Sequence, residues 1–372
     1  MLTEKKVFKL KSFQFESGKK AIPVKIGYET YGVLNKNRDN AILICHYFTG
    51  TSHAAGRYSE SEQSCGWWDE IIGPKKAIDT EKYFVICSDT LSNINFNNPN
   101  VVTTGPASID PESKTRYCMN FPIFTLKDVV KIQNEMLKSL GITRLKLVAG
   151  PSMGGLQSFM WARHFGCQVE KIISVCATPM MTPAAIMVPN ILGVDAIKLD
   201  PDWNGGDYYS KKSPDKGLLL AFKILLNATR TEQWASKNFR RDFADPSFEK
   251  IGNPYLSHHG RFLVETEMEK SVISRMEFFD ANSYIYIAKA NALFDLREGG
   301  ETYESALSKI ECPVLMIIDE SDLIFTGWQA ELSQKLIKNG ETYYYDSQNG
   351  HLSCLFDTNF FARKIREFIE KY

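Results

Sequence analysis

Gly150-Pro151-Ser152-Met153-Gly154 offers a nucleophile. A G-x-S-x-G is weak evidence alone. Here LKLVAG (145–150) precedes it and reads as a strand, and GLQSFMWARHF follows it and reads as a helix. Strand, sharp turn and helix are the setting in which a serine hydroxyl stands above a sheet at a helix N-terminus. The glycines are needed because side chains would clash in so tight a turn. The helix N-terminus favours the negative charge that develops on a carbonyl oxygen under attack.

Such a serine needs a base, and the base needs an acid to orient it. In folds of this type the chain order is serine, acid, histidine. Histidines stand at 46, 53, 164, 258, 259 and 351. His164 lies inside the helix that follows the serine and cannot turn back to it. His258 and His259 fall in a helix-rich stretch. His351, in the loop Gln348-Asn349-Gly350-His351 after the last strand signal, is the expected base. The acid belongs on the loop after PVLMIID (313–319). Asp319 and Asp322 are the candidates, with Glu320 third. Asp319 ends the strand and could merely cap the turn, so Asp322, deeper in the loop, is preferred. The N–H of Met153 is one oxyanion donor. The second comes from the loop Cys45-His46-Tyr47-Phe48-Thr49-Gly50, with Phe48 preferred and Tyr47 the alternative. His46 reads as a packed or hydrogen-bonding loop histidine.

These residues require a sheet to carry them. Short apolar runs recur at AILIC (41–45), YFVIC (83–87), LKLVAG and KIISVC (171–176), separated by helix-length segments. Runs buried on both faces and spaced by helices describe a parallel sheet. VFKLKSFQF and IPVKIGYETYGV alternate and predict two antiparallel strands before it. Thr125 to Leu140 has helical periodicity, with Gly141 as its C-cap. From about 180 to 300 helix-period segments dominate, including GLLLAFKILLNATR and NSYIYIAKANALFDL. PVLMIID, WQAELSQKLIKNG and ETYYYDS (341–347) then restore the strand–helix alternation, and FFARKIREFIEKY closes the chain as an amphipathic helix. The pattern predicts an α/β core of residues 1–182 and 301–372 with a helical insertion of 183–300.

Composition limits the alternatives. The 372 residues are enough for a large core, and 44% hydrophobic with 24% charged residues excludes a disordered chain. Forty-four basic residues balance forty-four acidic ones, which gives no long-range pull toward nucleic acid or an anionic membrane. The eight cysteines include no CxxC pair and read as reduced, buried thiols of a cytosolic, cytoplasmic protein. MLTEKKVFKLK lacks the apolar stretch of a signal peptide. The mostly apolar region from Ile172 to Val194 is broken by Pro179, Pro183 and Pro189, which argues against a membrane span.

The chain resembles the homoserine O-acetyltransferase family of the α/β-hydrolase superfamily. The resemblance rests on CHYFTGTSHAAG (45–56), GWWDEIIGPKKAIDTEKYFVICSD (66–89), TGPASIDP (104–111), GPSMGG (150–155), DPDWNGGDYY (200–209), FFDANSY (278–284) and SDLIF (321–325). It implies an α/β-hydrolase fold whose insertion forms a helical lid. It implies a triad of Ser152, Asp322 and His351, and oxyanion donors at Phe48 and Met153. The implied chemistry is acyl transfer from acetyl-CoA, a co-substrate, to the hydroxyl of L-homoserine through an acyl-serine, in methionine biosynthesis. No metal or prosthetic group is implied, whereas a homodimer through the lid helices is. Arg230 falls where the family places an arginine near the substrate carboxylate. Leu352 departs from the family, which commonly has an aspartate directly after the catalytic histidine and uses it to hold the substrate ammonium. Thr229 replaces a tyrosine, and LSNINFNNPNVV (91–102) replaces a glycine-rich loop. An esterase or thioesterase, using the same triad on water, is the alternative reading.

Overall fold

The computed structural model describes residues 1–19, 21–247 and 260–371. Ten strands run in chain order: β1 Lys6–Phe13, β2 Ile22–Tyr31, β3 Ala41–Cys45, β4 Ile72–Gly73, β5 Ile78–Asp79, β6 Phe84–Ser88, β7 Leu147–Pro151, β8 Ile172–Val175, β9 Val314–Asp319 and β10 Gly340–Tyr345. Eight form one sheet in the order β1-β2-β6-β3-β7-β8-β9-β10, while the short β4 and β5 pair with each other. β1 pairs antiparallel with β2, and β2 antiparallel with β6. From β6 to β10 every pairing is parallel. The expected sheet is therefore present, with strand ends displaced by one or two residues.

The apolar runs are strands because each has two faces to bury. Ala41, Leu43 and Cys45 of β3 join one core layer, and Ile42 and Ile44 join the other. β9 repeats the division, with Val314, Met316 and Ile318 opposite Leu315 and Ile317. Period-two alternation over a run apolar throughout is what a sheet covered on both sides demands.

Twelve α-helices are described. α1 (Leu126–Ser139), α2 (Met153–His164), α9 (Tyr303–Ser308) and α10 (Gly327–Leu336) add residues to the first layer, and α12 (Ala362–Lys371) to the second. α1 starts where a capping box forms between Thr125 and Asp128. It ends before Gly141, whose φ of +70° places it in the left-handed region. α12 turns Ile365, Phe368 and Ile369 inward. Between β8 and β9 come α3 (Pro183–Ile186), α4 (Gly193–Leu199), α5 (Asp215–Thr229), α6 (Glu232–Phe239), α7 (Leu263–Ile273) and α8 (Ala281–Ala292). A π-helical turn, Met187–Leu192, joins α3 to α4. α11 (Ser353–Phe356) follows β10. No described helix is long and apolar enough to cross a membrane.

Two expectations need adjustment. Cys65 and Cys167 are exposed and Cys118 is half-buried, so the reading of buried thiols holds for Cys45, Cys87, Cys176, Cys312 and Cys354. Their segments explain the split, since the buried five sit in or beside strands and in α11, and the other three in loops or 3-10 turns. His258 and His259 lie outside the described residues.

Candidate active site

The elbow is built by close backbone contact. A β-carbon on Gly154 would stand 2.0 Å from the Cys45 carbonyl oxygen, and one on Gly150 would stand 2.3 Å from it. Only glycine lets β7 and α2 approach β3 this closely. Ser152, between them, has φ +53° and ψ −122°. That strained conformation lifts its hydroxyl out of the turn, ahead of Met153 as the first residue of α2. The Ser152 N–H is anchored on the Val175 carbonyl at 2.9 Å.

The loops after β9 and β10 bring the other two groups. Ser152 Oγ lies 2.7 Å from His351 Nε2, and His351 Nδ1 lies 2.8 Å from Asp322 Oδ2. Asp322 Oδ1 accepts the N–H groups of Ile324 at 2.7 Å and Phe325 at 3.2 Å, which fixes the carboxylate plane. With Asp322 2% and His351 6% exposed, water competes little for these contacts. Burial works against a charged imidazole, but the charge and hydrogen bond of Asp322 outweigh it, and the His351 pKa is raised above 6.5. Of the acid candidates, Asp322 meets the histidine. Asp319 instead accepts from Ser321 and Ser347.

Phe48 and Met153 both line the cavity above Ser152, as does Tyr47. α8 holds the two preferred donors from behind. The ring of Tyr284 packs edge-on against Phe48 at 5.2 Å, and Asn291 Nδ2 reaches Met153 Sδ at 3.5 Å. His46 has the expected hydrogen-bonding role. Its Nδ1 lies 2.7 Å from the Tyr47 carbonyl, while Nε2 receives the Thr90 N–H at 3.2 Å and faces Asn93 Nδ2 at 3.3 Å. Burial lowers its pKa. The geometry fits a neutral ring with its proton on Nδ1.

Several supporting residues escaped the sequence reading. Asn93 and Asn95 donate to the carbonyls of Gly50 and Thr49, each at 3.0 Å, and so bracket the Tyr47–Gly50 turn. They belong to the asparagine-rich LSNINFNNPNVV, whose lack of periodicity hid its role. Asp89 accepts the Ser52 N–H at 2.7 Å. Buried Glu29 accepts from Tyr31 at 3.0 Å and Tyr58 at 2.7 Å and pairs with Lys5 at 2.9 Å. Burial alone would raise the Glu29 pKa, but His53 and Lys5 hold it down at about 2.

The triad opens into a cavity of about 520 Å³ roofed by α5, α6 and α7. Its wall is largely apolar, with Phe222, Leu226, Trp234, Met268 and Phe325 among its residues. Leu352 and Arg230 also line it. The Arg230 guanidinium stacks 4.3 Å above Trp234 and 5.4 Å from Phe356. No carboxylate among the described residues forms an ion pair with it. Among the described residues no group of three or more His, Cys, Asp or Glu could hold a metal ion.

Comparison with known proteins identifies the family and the fold. The family model for the alpha/beta hydrolase fold matches residues 40–358. A homoserine O-acetyltransferase of Deferribacter desulfuricans is 42% identical, over 96% of this chain and 93% of that protein. The crystal structure of homoserine O-acetyltransferase from Bacillus anthracis superposes with a TM-score of 0.94 at 41% identity, covering 100% of this chain and 98% of that one. That of esterase E22 gives a TM-score of 0.91 at 32% identity, covering 99% of this chain and 100% of that one. By sequence along almost its whole length and by fold, the chain belongs to the homoserine O-acetyltransferase family of α/β-hydrolase-fold proteins.

Proposed function

We propose that this protein is an O-acyltransferase that moves the acetyl group of acetyl-CoA to the hydroxyl of L-homoserine, a step of methionine biosynthesis in the cytoplasm. The observation that carries the reading is the Ser152–His351–Asp322 relay opening into a mostly apolar cavity beneath α5, α6 and α7. The names of the relatives support the acetyl group and the homoserine acceptor. His351 Nε2 takes the Ser152 proton as Oγ attacks the thioester carbonyl. The N–H groups of Phe48 and Met153 hold the oxyanion, and the CoA sulfur leaves with the proton from His351. In the second half His351 deprotonates the acceptor hydroxyl, which attacks the acyl-serine and releases Ser152. Asp322 keeps the imidazole oriented throughout. The lid helices limit water at the acyl-serine.

Arg230 fits the acceptor carboxylate, because it is a half-buried cation on the cavity wall that forms no ion pair with an acid among the described residues. One observation favours a second reading. Leu352 places an apolar side chain beside His351, where an ammonium group would want an anion. Esterase E22, similar over the whole chain, is named for hydrolysis. Water or an uncharged alcohol would then take the acyl group.

Release of CoA from acetyl-CoA, followed with a thiol reagent with and without L-homoserine, tests both readings. Release that depends on homoserine is the expected result. Equal release in both would establish hydrolysis, and no release would exclude acetyl-CoA as donor. In the same assay Arg230→Ala should raise the acceptor KM about tenfold or more, as for a lost charged hydrogen bond, with little change for the donor. The exposed Met187, Ile191, Leu192 and Leu199 on the lid surface suit the family's homodimer. Sedimentation equilibrium should give twice the chain mass; a monomer at working concentration would refute the dimer.

A further inference from the structure

We infer that Asp319 is a positioning residue for His351, acting through the hydroxyls of Ser321 and Ser347 on the backbone of the two residues that precede the imidazole. The inference rests on His351 being the base of the acyl-serine reading. Asp319 ends β9 and is 0% exposed. No cation among the described residues pairs with it. Its oxygens are instead filled by local donors. Oδ1 accepts the Ser321 N–H at 2.9 Å and the Ser321 hydroxyl at 2.7 Å, and Oδ2 accepts the Ser347 hydroxyl at 2.5 Å.

A carboxylate can only accept, so both serine hydrogens point at it and both serine oxygens turn their lone pairs outward. Those lone pairs meet the next two backbone donors. Ser347 Oγ receives the Asn349 N–H at 3.1 Å, and Ser321 Oγ receives the Gly350 N–H at 3.1 Å. Ser321 lies on the acid loop and Ser347 on the histidine loop. One buried charge thus ties the loop of Asp322 to the loop of His351. From the lid side, Thr231 donates to the Gln348 carbonyl. Gly350 packs closely under the lid: at φ +69°, a β-carbon there would stand 3.0 Å from the Thr229 carbonyl oxygen.

A residue that merely capped the strand would not set the polarity of two hydroxyls in a chain ending at the base. An asparagine at 319 makes the difference visible. Ser321 donates twice to Oδ1, so the amide oxygen stays there and the NH₂ faces Ser347. Ser347 then loses the carboxylate to which it donates, and with it the charge-assisted bond that orients its oxygen toward the Asn349 N–H. The charge also acts directly. Asp322, Cys176 and Asp319 all favour protonated His351 against the opposing effect of burial. Tyr345 and Cys354 adjoin Cys176, and Arg230 faces the same cavity from the lid.

The test is the rate at which a fluorophosphonate labels Ser152 across pH. It reports serine activation whatever the natural acyl acceptor. Asp319→Asn should label about tenfold more slowly, as expected for a misplaced base, with the acid limb moved to lower pH. Ser347→Ala should slow labelling without moving the limb, and Ser347→Thr, which keeps the hydroxyl, should restore the rate. Wild-type rate and limb in a folded Asp319→Asn would overturn the inference. If that variant does not fold, wild-type labelling by Ser347→Ala would overturn it instead. A wild-type protein that does not label removes the acyl-serine reading and this inference with it. Wild-type labelling without CoA release would refute the acetyl-CoA proposal alone.

Discussion

Ser152→Ala should lower kcat by about 10⁵-fold or more, the loss found when the nucleophile of such a triad is removed. The argument is geometric. Ser152 alone combines the strained elbow backbone, the 2.7 Å contact with His351 and a place at the start of α2. Alanine adopts the same backbone at no greater strain, so the fold should persist. Intact-mass analysis after mixing with acetyl-CoA should show one added acetyl group on the wild type and none on the variant. A variant that keeps turnover or acquires the acetyl group would refute the acyl-serine mechanism.

Asp322→Asn should lower kcat by about 10⁴-fold, because it forces the wrong imidazole tautomer. Oδ1 is committed to the N–H groups of Ile324 and Phe325, so the asparagine oxygen stays with them. Its NH₂ then faces His351 Nδ1, which must give up its proton. The remaining proton sits on Nε2 toward Ser152, and the ring is no longer a base. The pH profile provides the second check. Neutral His351 is the active form and its pKa is raised above 6.5, so wild-type kcat/KM should climb with pH through a midpoint above that value. Loss of the Asp322 charge should move the limb downward. An unchanged limb would mean that another group titrates there.

The parts of the site legible in the sequence were those with a local signature. Gly150 and Gly154 flank Ser152 because no other residue fits against Cys45, and a steric rule of that kind shows in five letters. His351 followed from chain order and the shortage of histidines. Asp322 could be preferred but not separated from Asp319, since both lie within four residues on one loop. The direction of each carboxylate, not its place in the chain, decides which meets the imidazole. Asn93 and Asn95 gave no signal, because an irregular loop has no period and its partners lie more than forty residues away.

The order of apolar runs and glycines determined by itself that the chain forms a parallel sheet carrying a serine at a strand–helix turn. That is local physics: a buried strand needs two apolar faces, and a tight turn needs residues without β-carbons. Only the tertiary structure decided which acid faces the base, what stands behind the oxyanion loop, and that Leu352 and Arg230 share one cavity. These depend on side-chain directions and on contacts between segments as far apart as Ser152 and His351. Such contacts exist only after packing has fixed every element at once.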